Sequence, residues 1–157
     1  MNRREFFTAF VPSSKGVSIR PPYTDEKTDY SPCRECDAPC VSECETGVIT
    51  RDEEGFPVLS FTKTGCTYCE RCAEVCPSGV ISRDKPDRIR AQVFIDPKLC
   101  SAWKGVLCFS CKEPCIDNAI RFEGLYKPVI IADRCTSCGF CISVCPTGAI
   151  KVRGYEA

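Results

Sequence analysis

Apolar residues in this chain form no long helical stripes. They occur as short pairs and runs between polar, turn-forming stretches, and one pair recurs at a fixed place: Val48-Ile49, Val80-Ile81, Ala119-Ile120 and Ala149-Ile150 each follow a group of cysteines. Two of these pairs open a predicted hairpin. Val48-Ile49-Thr50 and Pro57-Val58-Leu59-Ser60-Phe61 flank the polar turn Arg51-Asp52-Glu53-Glu54-Gly55. Ala119-Ile120-Arg121-Phe122 and Pro128-Val129-Ile130-Ile131 flank Glu123-Gly124-Leu125-Tyr126-Lys127 in the same way. Gln92-Val93-Phe94-Ile95 predicts a further strand, and residues 70–76 and 139–145 predict short helices, where two cysteines four apart face the same way. The chain thus repeats a unit of strand, cysteine loop, short helix and strand. Ser82-Arg83-Asp84-Lys85-Pro86-Asp87-Arg88-Ile89-Arg90 is charged and contains proline, as a link between modules would. The expected division is a tail at 1–27, one module at 28–82 and another at 92–153. An arrangement in which the outer cysteine groups pair around the inner two, with 82–95 as a third hairpin, stays open.

Composition changes the picture, because the 43% apolar fraction of the 157 residues includes sixteen cysteines and leaves about a third of the chain for an ordinary core. Something besides aliphatic packing must hold the fold. Cysteine at this density often marks a secreted disulfide scaffold. The spacing points elsewhere: Cys66, Cys69, Cys72 and Cys76-Pro77 follow C-x2-C-x2-C-x3-C-P, and Cys135, Cys138, Cys141 and Cys145-Pro146 repeat it. That spacing holds [4Fe-4S] clusters in bacterial ferredoxins, whereas such crowding makes poor disulfide geometry. Cys33, Cys36, Cys40, Cys44 and Cys100, Cys108, Cys111, Cys115 are looser copies, with three residues between Cys36 and Cys40 and seven between Cys100 and Cys108. Zinc, the other four-thiolate metal, usually takes two C-x2-C pairs far apart in sequence.

The expectation is four [4Fe-4S] clusters in an α+β fold of duplicated, bacterial-type two-cluster ferredoxin-like modules, with small two-stranded sheets and short helices. In such modules the fourth cysteine of one group ligates the cluster of the other. The ligand sets are then Cys33, Cys36, Cys40 with Cys76; Cys66, Cys69, Cys72 with Cys44; Cys100, Cys108, Cys111 with Cys145; and Cys135, Cys138, Cys141 with Cys115. Gaps of 21 residues from Cys44 to Cys66 and 19 from Cys115 to Cys135 are compatible with this grouping. Trp103 and Leu107, in the widened third group, are candidates to shield its cluster, to lie on the surface, or to meet a partner.

Charge and missing residue types remove whole classes of function. The formal net charge is zero and no histidine is present, which excludes mixed Cys/His zinc sites, Rieske centres and Ser-His-Asp triads. Nothing in that balance calls for nucleic acid. Four-cysteine ligation leaves no iron position open to a substrate and uses every thiol, so catalytic residues are expected to be none and the role is electron transfer, redox sensing or structural service to a partner. Glu43, Glu45, Asp52, Glu53, Glu54, Glu70 and Glu74 read as solvated surface or docking charge. No stretch approaches a transmembrane helix. Arg3-Arg4 precede a short apolar patch interrupted by Glu5 and ended at Pro12, without a cleavage site, so the segment is expected to be retained. Phe6, Phe7 and Phe10 form one face of a candidate partner-recognition helix, a disordered tail being the other reading.

The Arg3-Arg4 start, Ile19-Arg20-Pro21-Pro22 before the first group, Gly65-Cys66-Thr67-Tyr68-Cys69, the widened loop ahead of Cys111 and Cys115, and the closing Cys135 to Cys145-Pro146 group carry a resemblance over the whole chain. It resembles the NapF family, four-cluster ferredoxin-type accessory proteins of the periplasmic nitrate reductase system. The resemblance implies a cytoplasmic protein that is not exported, that meets the nitrate reductase catalytic subunit before that subunit's export, and that moves electrons during its assembly or activation with a redox partner protein. A general electron-transfer subunit of an anaerobic respiratory or dehydrogenase complex is the alternative.

Overall fold

The computed structural model describes residues 16–155. Strands β1 (Ile49–Arg51) and β2 (Pro57–Leu59) form the first expected hairpin, with Ile49 opposite Leu59 and Arg51 opposite Pro57. Strand β3 (Ala91–Ile95) does not fold back on residues 82–90. It pairs antiparallel with β6 (Ile150–Gly154), Ala91 opposite Gly154 and Ile95 opposite Ile150. Between them, β4 (Ile120–Glu123) and β5 (Lys127–Ile130) make the second hairpin, with Ile120 opposite Ile130. Each sheet has two strands, too few to stand alone in water, so each depends on what packs against it.

Among the described residues the α-helices are single turns: α1 (Pro39–Ser42), α2 (Arg71–Glu74) and α3 (Phe140–Ser143). The last two are shorter than the predicted 70–76 and 139–145. Each of the three starts from a left-handed residue, Ala38 (φ 54), Glu70 (φ 62) and Gly139 (φ 86), which swings the preceding loop sharply into the turn. Helix α1 was not expected; its Pro39 suits a first helical position, where no backbone N–H is needed. The third group has no such helix, and its widened loop holds a 3-10 turn at Ala102–Lys104.

All four recurrent apolar pairs are buried. Val48, Ile49 and Ile81 pack with Leu59, Phe61 and Ile89 in one core, and Ile120 and Ile150 pack with Val93 in another. Ile142 and Val152 touch both. Residues 19–24, within the segment expected to be a tail, are tied to the rest of the fold. The Ile19 carbonyl accepts from Leu59 N–H (2.8 Å), Tyr23 N–H donates to the Pro86 carbonyl (2.9 Å), and Thr24 Oγ1 donates to the Pro21 carbonyl (2.7 Å). Pro21 and Pro22 lack a free N–H, so they are buried here without leaving a donor unpaired. Arg3, Arg4, Phe6, Phe7 and Phe10 lie outside the described residues.

Candidate metal centres

One turn is repeated after the fourth cysteine of every group. The residue three positions beyond that cysteine is left-handed in each case: Gly47 (φ 66), Gly79 (φ 67), Asn118 (φ 48) and Gly148 (φ 60). Only glycine or asparagine adopts this conformation readily. The turn aims the next amides back at sulfur. Ile81 N–H reaches Cys76 Sγ at 3.4 Å, Ala119 N–H reaches Cys115 Sγ at 3.3 Å, and Ala149 N–H reaches Cys145 Sγ at 3.3 Å. Further amides reach Cys36 Sγ from Ala38 and Cys66 Sγ from Tyr68, both at 3.4 Å. For Cys44, Cys76 and Cys145, burial works against the thiolate but is outweighed by these N–H groups and the hydroxyls of Thr46, Ser78 and Thr147, so their pKa values fall below that of an ordinary thiol.

The third cysteine of each group sits deeper. Burial, then neighbouring thiols, pushes Cys40 and Cys111 up to about 11 and Cys72 and Cys141 up to about 12. A bare thiolate is unstable there. A cationic metal centre supplies the missing positive charge and deprotonates a coordinating thiol outright.

The sulfurs are gathered across groups. One cavity is lined by Cys33, Cys36, Cys40 and Cys76, a second by Cys100, Cys108, Cys111 and Cys145, and a third by Cys115, Cys135, Cys138 and Cys141. The three cavities are similarly small, each with room for little more than a water-sized sphere. The remaining four are neighbours as well: Cys66 feels the charge of Cys44 and Cys69, and Cys72 feels Cys66, Cys69 and Cys44. All sixteen cysteines are free thiols, none in a disulfide. Four thiol side chains around each of these cavities, with the C-x2-C-x2-C spacing in the second and fourth groups, are a donor set that fits [4Fe-4S] clusters.

The surroundings are specific to each ring. Arg51 spans the first loop, its guanidinium donating to the carbonyls of Cys33 (2.6 Å), Cys36 (3.1 Å) and Gly55 (2.8 Å). Trp103 packs against the small buried cluster of Cys100, Ala102 and Ala149, its ring N–H donating to the Pro128 carbonyl (3.1 Å), whereas Leu107 is 59% exposed. The carboxylates expected at the surface are there, but four are paired. Arg71 bridges Glu43 and Glu74, Arg83 bridges Glu70 and Glu74, and Asp52 meets Arg20 at 2.9 Å. Sequence reasoning missed Arg51 and the left-handed turns, although the recurring C-x-x-[G/N] ahead of each apolar pair carried the signal.

Comparison with known proteins agrees with this chemistry. Residues 32–80 match the model of a 4Fe-4S dicluster domain, and 128–151 match that of a 4Fe-4S binding domain. The chain is 33% identical over 146 residues to the ferredoxin-type protein NapF of Escherichia coli K12, covering 88% of this chain and 87% of that one. It is 32% identical to NapF of Haemophilus influenzae, over 89% of this chain and 81% of that one. The methylamine utilization ferredoxin-type protein MauM of Methylorubrum extorquens is 29% identical, over 93% of this chain and 77% of that one.

Proposed function

Because the chain belongs to the NapF family of ferredoxin-type proteins, we propose that it works in the cytoplasm as an electron-transferring accessory protein of periplasmic nitrate reductase, acting on the catalytic subunit during assembly or activation and before export. As a ferredoxin-type protein it would carry electrons rather than catalyse a reaction itself. We assign four [4Fe-4S] clusters, each held by three cysteines of one group and the fourth of its partner group, in two modules at 28–82 and 92–153. The observation that carries this is the sharing of cavities across groups, with Cys76 beside Cys33, Cys36 and Cys40, and Cys145 beside Cys100, Cys108 and Cys111.

When bound, such clusters accept and release single electrons without exchanging atoms with a substrate. The chain's own part is to set how easily they do so. Amides of Ile81, Ala119 and Ala149 and the hydroxyls of Thr46, Ser78 and Thr147 hold partial positive charge beside sulfur, which favours the more negative, reduced state. Buried apolar pairs exclude water behind each ring. Among the described residues no helix is long and apolar enough to cross a membrane.

The likeness to MauM, whose name places it in methylamine utilization, favours a second reading as an electron carrier of wider use. Partner capture separates the two. Anaerobic protein should contain about sixteen irons and matching acid-labile sulfide per chain and should retain the unexported nitrate reductase catalytic subunit. Its deletion should leave exported reductase present but poorly active, and its removal after maturation should change little. Normal reductase activity in the deletion strain overturns the accessory role, and stoichiometric zinc without sulfide overturns the clusters.

A further inference from the structure

The two halves of the molecule meet along a seam that runs through the cysteine loops themselves. Cys66 N–H donates to the carbonyl of Cys138 at 2.7 Å. Cys66 belongs to the second ring and Cys138 to the fourth. Two residues on, the Tyr68 hydroxyl donates to the carbonyl of Thr136. Beside the seam, Ser137, 5% exposed, ties its loop to β3 by donating through Oγ to the carbonyl of Ala91 at 2.6 Å.

Two glycines permit this approach. A Cβ on Gly65 would lie 2.5 Å from the Cys138 carbonyl oxygen and 2.6 Å from the Phe140 nitrogen, and one on Gly139 would overlap the Phe61 ring. Gly65 is not left-handed, so its own backbone would accept a side chain; the opposing loop would not. Ile142, one residue beyond Cys141, completes the seam by packing into both cores. The first and third rings make no such crossing contact among the described residues: Arg51 binds the first loop to its own hairpin, and Trp103 binds the third group to β5.

We propose that Gly65-Cys66 and Cys138-Gly139 form a positioning junction that sets the second and fourth four-cysteine sites side by side, so that electrons cross between the halves there and the first and third sites are the outer ends of one path. The inference rests on the reading that the rings hold clusters. In each crossing one site loses an electron and is oxidised by one, and its neighbour gains that electron; no bond forms or breaks and no proton moves. Electrons enter from an external one-electron reductant, for which dithionite serves in vitro.

The test uses the full chain, loaded with iron and sulfide under anaerobic conditions and reduced with dithionite. Hydrogen exchange should find the Cys66 amide protected. Reduced protein should show spin coupling in electron paramagnetic resonance beyond what two independent halves give. Gly65→Ala, which removes no ligand, should keep its iron and sulfide, lose that inter-half coupling, and slow internal electron equilibration about tenfold or more, as expected when partners are displaced. Tyr68→Phe, which removes one hydroxyl contact, should weaken the coupling and serves if Gly65→Ala fails to load. An unprotected Cys66 amide in native protein overturns the proposal, as does unchanged coupling and rate in a fully loaded variant. A preparation without iron and sulfide defeats the parent reading instead, while hydrogen exchange still reports on the junction.

Discussion

Replacing Gly79 with alanine separates two effects that usually arrive together. Its φ of +67 puts it in the left-handed region, yet a Cβ built there would meet nothing within 4 Å. The cost is therefore conformational, about 1–2 kcal/mol for an L residue held left-handed. Gly124, in the turn joining β4 and β5, has the same φ of +67 and equally open surroundings. Gly124→Ala should lose the same stability. The two glycines differ in the role of the next residues along the chain, because the turn at Gly79 aims Ile81 N–H at Cys76 Sγ (3.4 Å). If alanine relaxes toward negative φ, that amide turns away. A hydrogen bond to thiolate favours the reduced state, and losing about 1 kcal/mol of it lowers a one-electron potential by about 40 mV. The affected centre should be the one on Cys33, Cys36, Cys40 and Cys76. Anaerobic potentiometric titration followed by electron paramagnetic resonance measures the potentials, and the rate of cluster bleaching in guanidinium measures stability. Equal stability losses with every potential unmoved in Gly79→Ala would refute the argument that this turn tunes the site.

Cys76→Ser should empty the site shared with Cys33, Cys36 and Cys40 rather than that of its own group, leaving about twelve irons per chain; spectra showing loss of the Cys66, Cys69, Cys72 site would contradict the cavity lining. Ile81→Ala removes a side chain only 1% exposed and should cost about 2–5 kcal/mol, read as faster cluster loss in denaturant. Arg51→Lys should bleach faster in air than native protein, because a single ammonium cannot hold the Cys33, Cys36 and Gly55 carbonyls as the guanidinium does; wild-type bleaching would show that the clamp is idle.

Local features were legible in the sequence because local chemistry sets them. The hairpins 48–61 and 119–131 announce themselves by paired apolar runs around a polar turn, and the helices near Cys72 and Cys141 by ligand spacing. What escaped was set by distant partners. Nothing in Ala91–Ile95 says that its mate is Ile150–Gly154, since the pairing bridges more than fifty residues and any apolar strand would match the pattern. Ile19 to Thr24 read as tail because prolines and a charge dominate it, yet its backbone partners are Leu59, Ser82 and Pro86. Gly65 carried part of the family resemblance, but its steric role appears only when Cys138 and Phe140 arrive against it.

The shared cavities also govern when the protein can be finished. With Cys76 lining the same space as Cys33, Cys36 and Cys40, a ribosome that has released only the first forty-four residues has delivered three of that cavity's four cysteines. On the proposed ligation, the site would be complete only once Cys76 emerges, and the Cys100 site only once Cys145 does. Loading of each half would then come late in synthesis, and a chain truncated between its paired groups should leave neither member of that pair properly filled.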